Sequence, residues 1–294
     1  MQSPGGRSST IKNSRCDPGD GISPPGSSPW GASRFGAGRR IPMDFFRSDR
    51  PLNLAHRGAS RIAPENTLRA FRLALELGAD GFELDVHLSR DGIPVVLHDA
   101  DLRRTTDGSG RVWEKTVAEL KALDAGAWKD PRFAGERIPT LDEVFEAFGD
   151  RALYNIELKA FTPWSVRWVR AVVERVRRYG LAGMVLLSSF NPLALRWAWR
   201  LAPEIPRGLL IGPELPLPLR RAWFAFLAPH QARHLHVRMI DEETVRWCRR
   251  HGYAVVAWTA NQVEEMRRLI HLGVAAIITD EPDRLARLLA EESR

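Results

Sequence analysis

The chain is expected to fold as an α/β protein, a (β/α)₈ TIM barrel with a small insertion after the second histidine-bearing strand. Three observations predict this. Short apolar runs alternate with longer helical patterns eight times between residues 52 and 291, the count and size of such a barrel. His56, Asp85, Glu157, Ser189 and Trp258 fall near the C-terminal ends of their runs, where barrel enzymes carry their chemistry. A doubly wound sheet, the competing architecture, lacks any obvious glycine-rich dinucleotide turn here.

The strand-like runs are Leu52–His56, Gly81–Leu88, Leu153–Leu158, Met184–Ser189, Gly208–Ile211, His234–Val237, Tyr253–Trp258 and Val274–Thr279. Helical patterns over 67–77, 141–148, 164–179, 192–201, 217–227, 241–251, 262–272 and 282–291 separate and follow them. In the first helix Leu68, Phe71 and Leu75 form one apolar stripe, Asn66 or Thr67 supplies the N-cap, and Gly78 ends it. Gly180, Gly252 and Gly273 punctuate later helix-to-strand turns in the same way. Residues 101–139 fit no barrel unit and read as an insertion after His98, a small cap over the barrel mouth.

The domain is expected over 52–292, preceded by a tail over 1–42. In that tail Gly, Pro and Ser supply 22 of 42 positions and apolar periodicity is absent, so it is expected to be disordered. Met43 opens MDFFRSDRPLNLAHRG, which looks like a natural start, and the tail is read as a translated upstream segment from a misassigned start codon.

Of the formal net charge of +7, the tail holds six basic residues against two acidic ones, leaving only +3 for the rest. Nucleic-acid binding by the folded body therefore gets little support. The two cysteines, Cys16 and Cys248, suggest neither a disulfide framework nor a thiolate metal site. No run approaches the roughly 20 apolar residues needed to span a bilayer, and the N-terminus lacks the apolar core of a secretion signal. These readings predict a cytoplasmic protein without stable membrane insertion and leave its oligomeric state open.

The stretch from Asn53 to Asp99 carries most of the chemistry. Leu52–Ala55 runs into His56, Arg57 and Gly58; the run 82–88 carries Glu83 and Asp85; Pro94–Leu97 delivers His98. Alternate strand residues share a face, so Glu83 and Asp85 point the same way, and Glu157 and Lys159 repeat the spacing. Paired carboxylates are costly to bury unless a cation resolves their repulsion. Three acids from two strands make an oxygen-rich site suited to one divalent cation, Mg²⁺ or Ca²⁺, rather than zinc. The competing reading is a carboxylate–lysine ion pair lining the barrel, an even alternative for Lys159.

His56 and His98 are candidates for a general acid–base pair, because histidine alone has an unperturbed pKa near neutrality. Arg57 offers a planar donor fork for a phosphate, or a strand-end salt bridge with Glu65. His87 is read as structural, and of His230, His234 and His236 only His236 is a candidate to face the site. Phe190 and Trp258 could wall off substrate carbon atoms, although barrel packing explains Trp258 almost as well. The stretch Leu215–Leu227, with Arg220, Arg221, Trp223, Phe224 and Phe226, is a candidate for touching lipid but reads better as an ordinary outer helix.

HRG, PENT, ELDVHLSRDG, VVLHD followed by TTDGSG, NIELK, SSFN, WTAN and IITDEP occur in this order. Together they resemble the bacterial glycerophosphodiester phosphodiesterase family, over essentially residues 52–290. The resemblance implies a (β/α)₈ barrel with an insertion after the second histidine. It implies that His56 and His98 are catalytic and that Glu83, Asp85 and Glu157 ligate a divalent metal. It also implies that Arg57 and Lys159 contact phosphate, that Glu65 and Asn66 belong to the active site, and that Phe190 and Trp258 lie near a glycerol pocket.

The expected reaction is metal-dependent hydrolysis of a small-molecule glycerophosphodiester to sn-glycerol 3-phosphate and an alcohol. His56 is expected to act as base on the glycerol hydroxyl and His98 as acid on the leaving alcohol, through a cyclic phosphate; direct attack by water is the competing version. A lysophospholipase D acting on lipids that keep one acyl chain is a second expectation. A non-catalytic phosphodiester-binding module is a third, against which the two intact histidines argue.

Overall fold

The computed structural model describes Met1 and residues 44–160 and 165–292. The expected disordered tail, the start at Met43 and the first residue of the helix expected at 164 lie outside the described residues.

Eight parallel strands close into a barrel: β1 (Leu52–His56), β2 (Gly81–Leu88), β4 (Leu153–Leu158), β5 (Val185–Ser189), β6 (Arg207–Ile211), β7 (Ala232–His236), β8 (Ala254–Trp258) and β9 (Ala276–Thr279). Pairing of β1 with both β9 and β2 seals the cylinder, so the first and last strands of the domain are neighbours. The run that delivers His98 is a short strand, β3 (Pro94–Val96), paired antiparallel to the end of β2 outside the barrel. The packed helices include α1 (Leu68–Glu76), α3 (Leu141–Phe148), α4 (Val166–Arg178), α5 (Pro192–Leu201), α7 (Glu242–Arg250), α8 (Val263–Leu272) and α9 (Pro282–Glu292).

Their boundaries follow local chemistry. Thr67 caps α1 by accepting from the Ala70 backbone N–H at 3.2 Å, and Thr140 and Glu143 form a reciprocal capping box at the start of α3. Gly273, in the left-handed conformation, ends α8.

Strand alternation sorts the side chains into two cores. Ala55, Phe82, Leu84, Tyr154 and Ile156 point outward against Phe71 of α1 and Phe145 of α3. Leu52, Leu54, Leu186, Ala254, Val256, Ala276 and Ile278 point inward and pack with Phe45 and Phe46, which precede β1 and close the N-terminal end of the barrel. The same inward parity carries Glu83 and Asp85 on β2 and Glu157 on β4. The β2–β4 register sets Asp85 opposite Glu157 and Glu83 opposite Asn155.

Between floor and mouth sits His234, fully buried, with no hydrogen-bond partner for either ring nitrogen among the described residues. Its ring lies over Gly208: a Cβ built there would fall 2.0 Å from the imidazole, so only glycine leaves room. Burial pulls the His234 pKa down to about 3.

Two expected elements differ. The helix expected over 217–227 is only α6 (Leu217–Arg220), followed by turns and a 3₁₀ segment at Ala225–Leu227. Pro216 and Pro218 sit at the N-cap and in the first turn, where a missing backbone N–H breaks no helical bond, and the ladder ends at Ala222, which takes a left-handed φ of 52°. The strand expected at His234–Val237 is shifted to Ala232–His236, and Val237 opens a 3₁₀ turn.

The segment between β3 and α3 contains α2 (Val117–Lys121) and a small core of its own, with Leu102, Val112, Leu120 and Ile138 packed on Val95 and Leu97. It reaches the loop after β1 through Lys129, whose Nζ donates to the Ser60 carbonyl at 2.8 Å. Among the described residues no helix is long and apolar enough to cross a membrane.

Candidate active site

The C-terminal ends of β1, β2, β4 and β9 bring a dense charged cluster together. Glu83, Asp85 and Glu157 each offer a carboxylate oxygen, all within 4.8 Å of one another, and all three residues are buried. Lys159 lies between two of them, with Nζ 2.9 Å from Asp85 and 2.7 Å from Glu157. Asn66 donates its Nδ2–H to Asp85 at 2.8 Å, and the Arg57 Nε stands 3.3 Å from the same carboxylate. The Glu83 side chain accepts from the Arg57 backbone N–H at 3.2 Å.

Electrostatics separate the three acids. Burial, reinforced by repulsion from Asp85 and Glu157, pushes the Glu83 pKa well above the ordinary carboxylate range. Burial also raises Glu157, against the pull of Lys159. For Asp85 burial is outweighed by Lys159 and Arg57, which hold its pKa far below the usual value. Burial is likewise outweighed at Lys159, which Asp85 and Glu157 hold firmly protonated.

Three carboxylates thus face two cations, a net charge of −1 when all are ionised. A divalent cation would reverse that sign and leave room for one phosphodiester anion. The donors are hard oxygens, and among the described residues no Lys or Arg side chain pairs with Glu83, so the residues fit a Mg²⁺ or Ca²⁺ ion.

Backbone geometry places this set. Arg57 and Asn66 have left-handed φ values of 57° and 58°, unusual for residues other than glycine. The Asn66 N–H donates to the Arg57 carbonyl at 2.9 Å, so the two strained residues clamp one loop. Gly58, at φ 82°, lets the loop pass against α1: a Cβ there would sit 2.6 Å from the Ala70 backbone. Arg57 pairs with Glu65 at 2.9 Å, the salt bridge anticipated for that pair. Arg104 grips Glu65 through both Nη atoms, at 2.9 and 2.8 Å. Burial opposes the Glu65 charge, but Arg104 and Arg57 keep its pKa low.

Each histidine is held by an aspartate. His56 Nδ1 lies 2.6 Å from Asp280 Oδ1, and its Nε2 is 4.0 Å from Glu83. Asp280 also accepts from Ser60 Oγ at 3.0 Å and Asn261 Nδ2 at 2.5 Å. Burial would raise Asp280, but the His56 contact with Asn261 and Ser60 brings its pKa down to about 2. His98 Nδ1 lies 2.5 Å from Asp99, whose second oxygen accepts from Arg104. Burial is the main force lowering the His98 pKa, with Lys159 and Arg57 adding to it against Asp85 and Asp99. Tying Nδ1 to a carboxylate fixes the tautomer and leaves Nε2 as the exchangeable position. His87 is fully buried behind this pair, with Nε2 3.0 Å from the His98 carbonyl, in keeping with a structural role.

His56, Arg57, Glu65, Asn66, Glu83, Asp85, His98, Glu157 and Lys159 therefore share one connected cluster. Phe190 and Trp258 stand apart from it on the β5–β8 side, their rings edge to face at 5.6 Å. His236 packs on Trp258 at 5.2 Å. Sequence reasoning passed over Asp280, Asn261, Ser60, Asp99 and Arg104. Signals existed for three of them, since Asp99 follows His98 directly and Asn261 and Asp280 sit in WTAN and IITDEP, but pattern alone could not show which histidine each would serve.

The chain matches the glycerophosphoryl diester phosphodiesterase family over residues 56–284. It belongs to that family. A glycerophosphodiester phosphodiesterase of Caldanaerobacter subterraneus subsp. tengcongensis is 42% identical over 239 residues, covering 81% of this chain and 97% of the relative. One from Bacillus subtilis is 32% identical over 249 residues, covering 80% and 85%. Among solved structures, a phosphodiesterase of Oleispira antarctica in complex with the product sn-glycerol-3-phosphate superposes with a TM-score of 0.75 at 36% identity, covering 83% of this chain and 99% of that one. The glycerophosphodiester phosphodiesterase of Thermotoga maritima gives 0.65 at 31%, covering 82% and 100%. The protein is thus an enzyme of the glycerophosphodiester phosphodiesterase family with a TIM-barrel fold.

Proposed function

We propose that the protein hydrolyses glycerophosphodiesters to sn-glycerol 3-phosphate and an alcohol in a metal-dependent reaction, with His56 and His98 as the proton-transfer pair. The observation that carries the reading is the meeting of three buried carboxylates with two histidines, each tied at Nδ1 to its own aspartate.

Glu83, Asp85 and Glu157 would hold the cation, which when bound supplies neutralisation of the phosphate charge. Arg57 and Lys159 bind the phosphate oxygens, and Glu65, anchored by Arg104, steadies the Arg57 guanidinium. His56, oriented by Asp280, takes the proton from the glycerol hydroxyl beside the phosphodiester. That oxygen attacks phosphorus as the bond to the alcohol breaks, and His98 protonates the departing oxygen. Water then opens the cyclic phosphate with the two histidines in exchanged roles. The lowered pKa of His98 makes its imidazolium a stronger acid, at the expense of its protonated fraction near neutrality. Phe190 and Trp258 flank the carbon skeleton.

One observation favours a second substrate class, lysophospholipids that keep an acyl chain. A shallow apolar depression lined by Phe190, Pro192, Leu209, Leu215, Leu219 and Phe224 lies on the Phe190 side of the Phe190–Trp258 pair, where the end of an apolar chain could rest.

Purified protein is assayed with glycerophosphocholine, glycerophosphoethanolamine and lysophosphatidylcholine, with chelator, Mg²⁺ or Ca²⁺. Release of sn-glycerol 3-phosphate from the first two, lost in chelator and restored by either ion, is expected. Full turnover of metal-stripped protein would refute the metal dependence, and turnover of lysophosphatidylcholine alone would shift the assignment to lysophospholipase D.

A further inference from the structure

We infer that the segment joining β6 to β7 is a docking surface for an anionic phospholipid bilayer. In place of an amphipathic outer helix, the chain there forms two short turns that leave its large apolar side chains in solvent: Phe226 is 77% exposed, Trp223 57%, and Leu217 and Phe224 about as open as each other at 43% and 42%. Isolated exposed apolar residues are ordinary, but four within ten positions form a patch of the kind that marks an interaction surface.

Charge selects the partner. Arg220 and Arg221 adjoin the aromatics; among the described residues the Arg220 side chain donates to the Pro213 carbonyl, and neither guanidinium pairs with a carboxylate. Glu214 is the only acidic residue between β6 and β7. Aromatic rings beside unneutralised guanidinium groups match the headgroup level of a membrane, where rings enter the acyl boundary and arginines meet lipid phosphate. A symmetric pairing of two copies would instead set a net positive patch against itself.

Position supports the same partner. The segment leaves the C-terminal end of β6, on the barrel face that carries the charged cluster, and Phe224 lines a shallow apolar depression together with Phe190, whose ring packs on Trp258. Docking there would hold the mouth of the barrel against the lipid surface.

The test is sedimentation of the full chain with large vesicles of phosphatidylcholine alone or of phosphatidylcholine and phosphatidylglycerol in equal parts. The protein is expected to pellet with the anionic vesicles at low salt and to leave them at about 1 M salt, where screening is short-ranged. Replacing Trp223→Ser and Phe226→Ser together should abolish pelleting. Replacing Arg220→Ser and Arg221→Ser together should lower the partition coefficient roughly 30-fold, the combined effect of two basic side chains at such a surface. Hydrolysis of a water-soluble glycerophosphodiester should be unchanged in both, which also shows that they fold; if the aromatic variant misfolds, the arginine variant decides alone. No pelleting with either vesicle, or pelleting undiminished in the variants, overturns the inference. So does a concentration-dependent dimer that these substitutions abolish in the absence of vesicle binding, which would assign the patch to a second copy.

Discussion

The barrel mouth has two unlike halves. On the β1, β2, β4 and β9 side, charged and amide groups hold one another at hydrogen-bond distance: Asp280 on His56, Asn66 on Asp85, and Lys159 on both Asp85 and Glu157. On the β5 to β8 side the corresponding positions carry Phe190, His236 and Trp258, and the adjoining shallow depression is apolar. The charged half is rigidly specified, since moving one group strands a buried charge. The apolar half is held by ring packing and tolerates variation in shape. A phosphodiester has the same division, an anionic centre flanked by carbon skeletons. On this account the charged half governs the rate and the apolar half governs which ester is accepted.

The sharpest way to break that division is to remove the histidines. His56→Ala and His98→Ala should each lower kcat about 10²- to 10⁴-fold with much smaller changes in KM, and the two losses should not add. An activated aryl ester of glycerol phosphate, whose leaving group needs little protonation, should rescue His98→Ala and not His56→Ala. Rescue of the other variant would exchange the two roles, and near-normal rates in both would end the acid–base assignment.

Next in size are the aspartates behind the histidines. Asp280→Asn and Asp99→Asn should each cost about 10- to 100-fold, because the imidazoles lose the carboxylate that fixes their tautomer. The pH profile tells them apart. As an acid, His98 must be protonated, and its pKa lies below the ordinary 6.5, so the rate falls as pH rises through a value under 6.5. Asp99 raises the His98 pKa, so Asp99→Asn should move that falling limb to lower pH, whereas Asp280→Asn should leave it in place. Identical profiles for both variants would contradict this.

Glu83→Gln should leave the barrel folded while removing one candidate hard ligand. Titration calorimetry should find Mg²⁺ or Ca²⁺ affinity weakened about 10-fold or more, and unchanged affinity would exclude Glu83 as a ligand.

On the apolar half the effects should be smaller. Phe190→Ala and Trp258→Ala should raise KM up to about tenfold, the scale of 1.4 kcal/mol, with kcat nearly kept and the ranking of head groups altered. A loss confined to kcat would place these rings in the chemistry instead.

The smallest effect concerns stability under the apolar half. His234 titrates near 3 when folded and near 6.5 when unfolded. Its neutral burial therefore leaves stability intact above 6.5, and stability drops as pH falls from 6.5 toward 3, because only the unfolded chain takes the proton. His234→Leu should flatten that slope, by about 1 kcal/mol for the first pH unit below 6.5. An unaltered acid melting profile would show that the group is not buried neutral.

Much of this was legible in the sequence. The periodic runs determined the barrel, because a fully buried parallel strand and an amphipathic helix leave different repeats. The spacing of Glu83 with Asp85, and of Glu157 with Lys159, determined which side chains share a face, because strand alternation depends only on the local backbone. The segment at 217–227 was misread, because apolar composition resembles a helix even where the backbone turns left-handed, as it does at Ala222. The partnerships were decided only by the tertiary structure. Asp280 meets His56 because β9 closes on β1, and Arg104 reaches Glu65 because the segment after β3 folds back on the loop after β1. Sequence periodicity reports which way a side chain faces; which distant group it faces is decided by closing the barrel, a contact between residues 224 positions apart that no local repeat encodes.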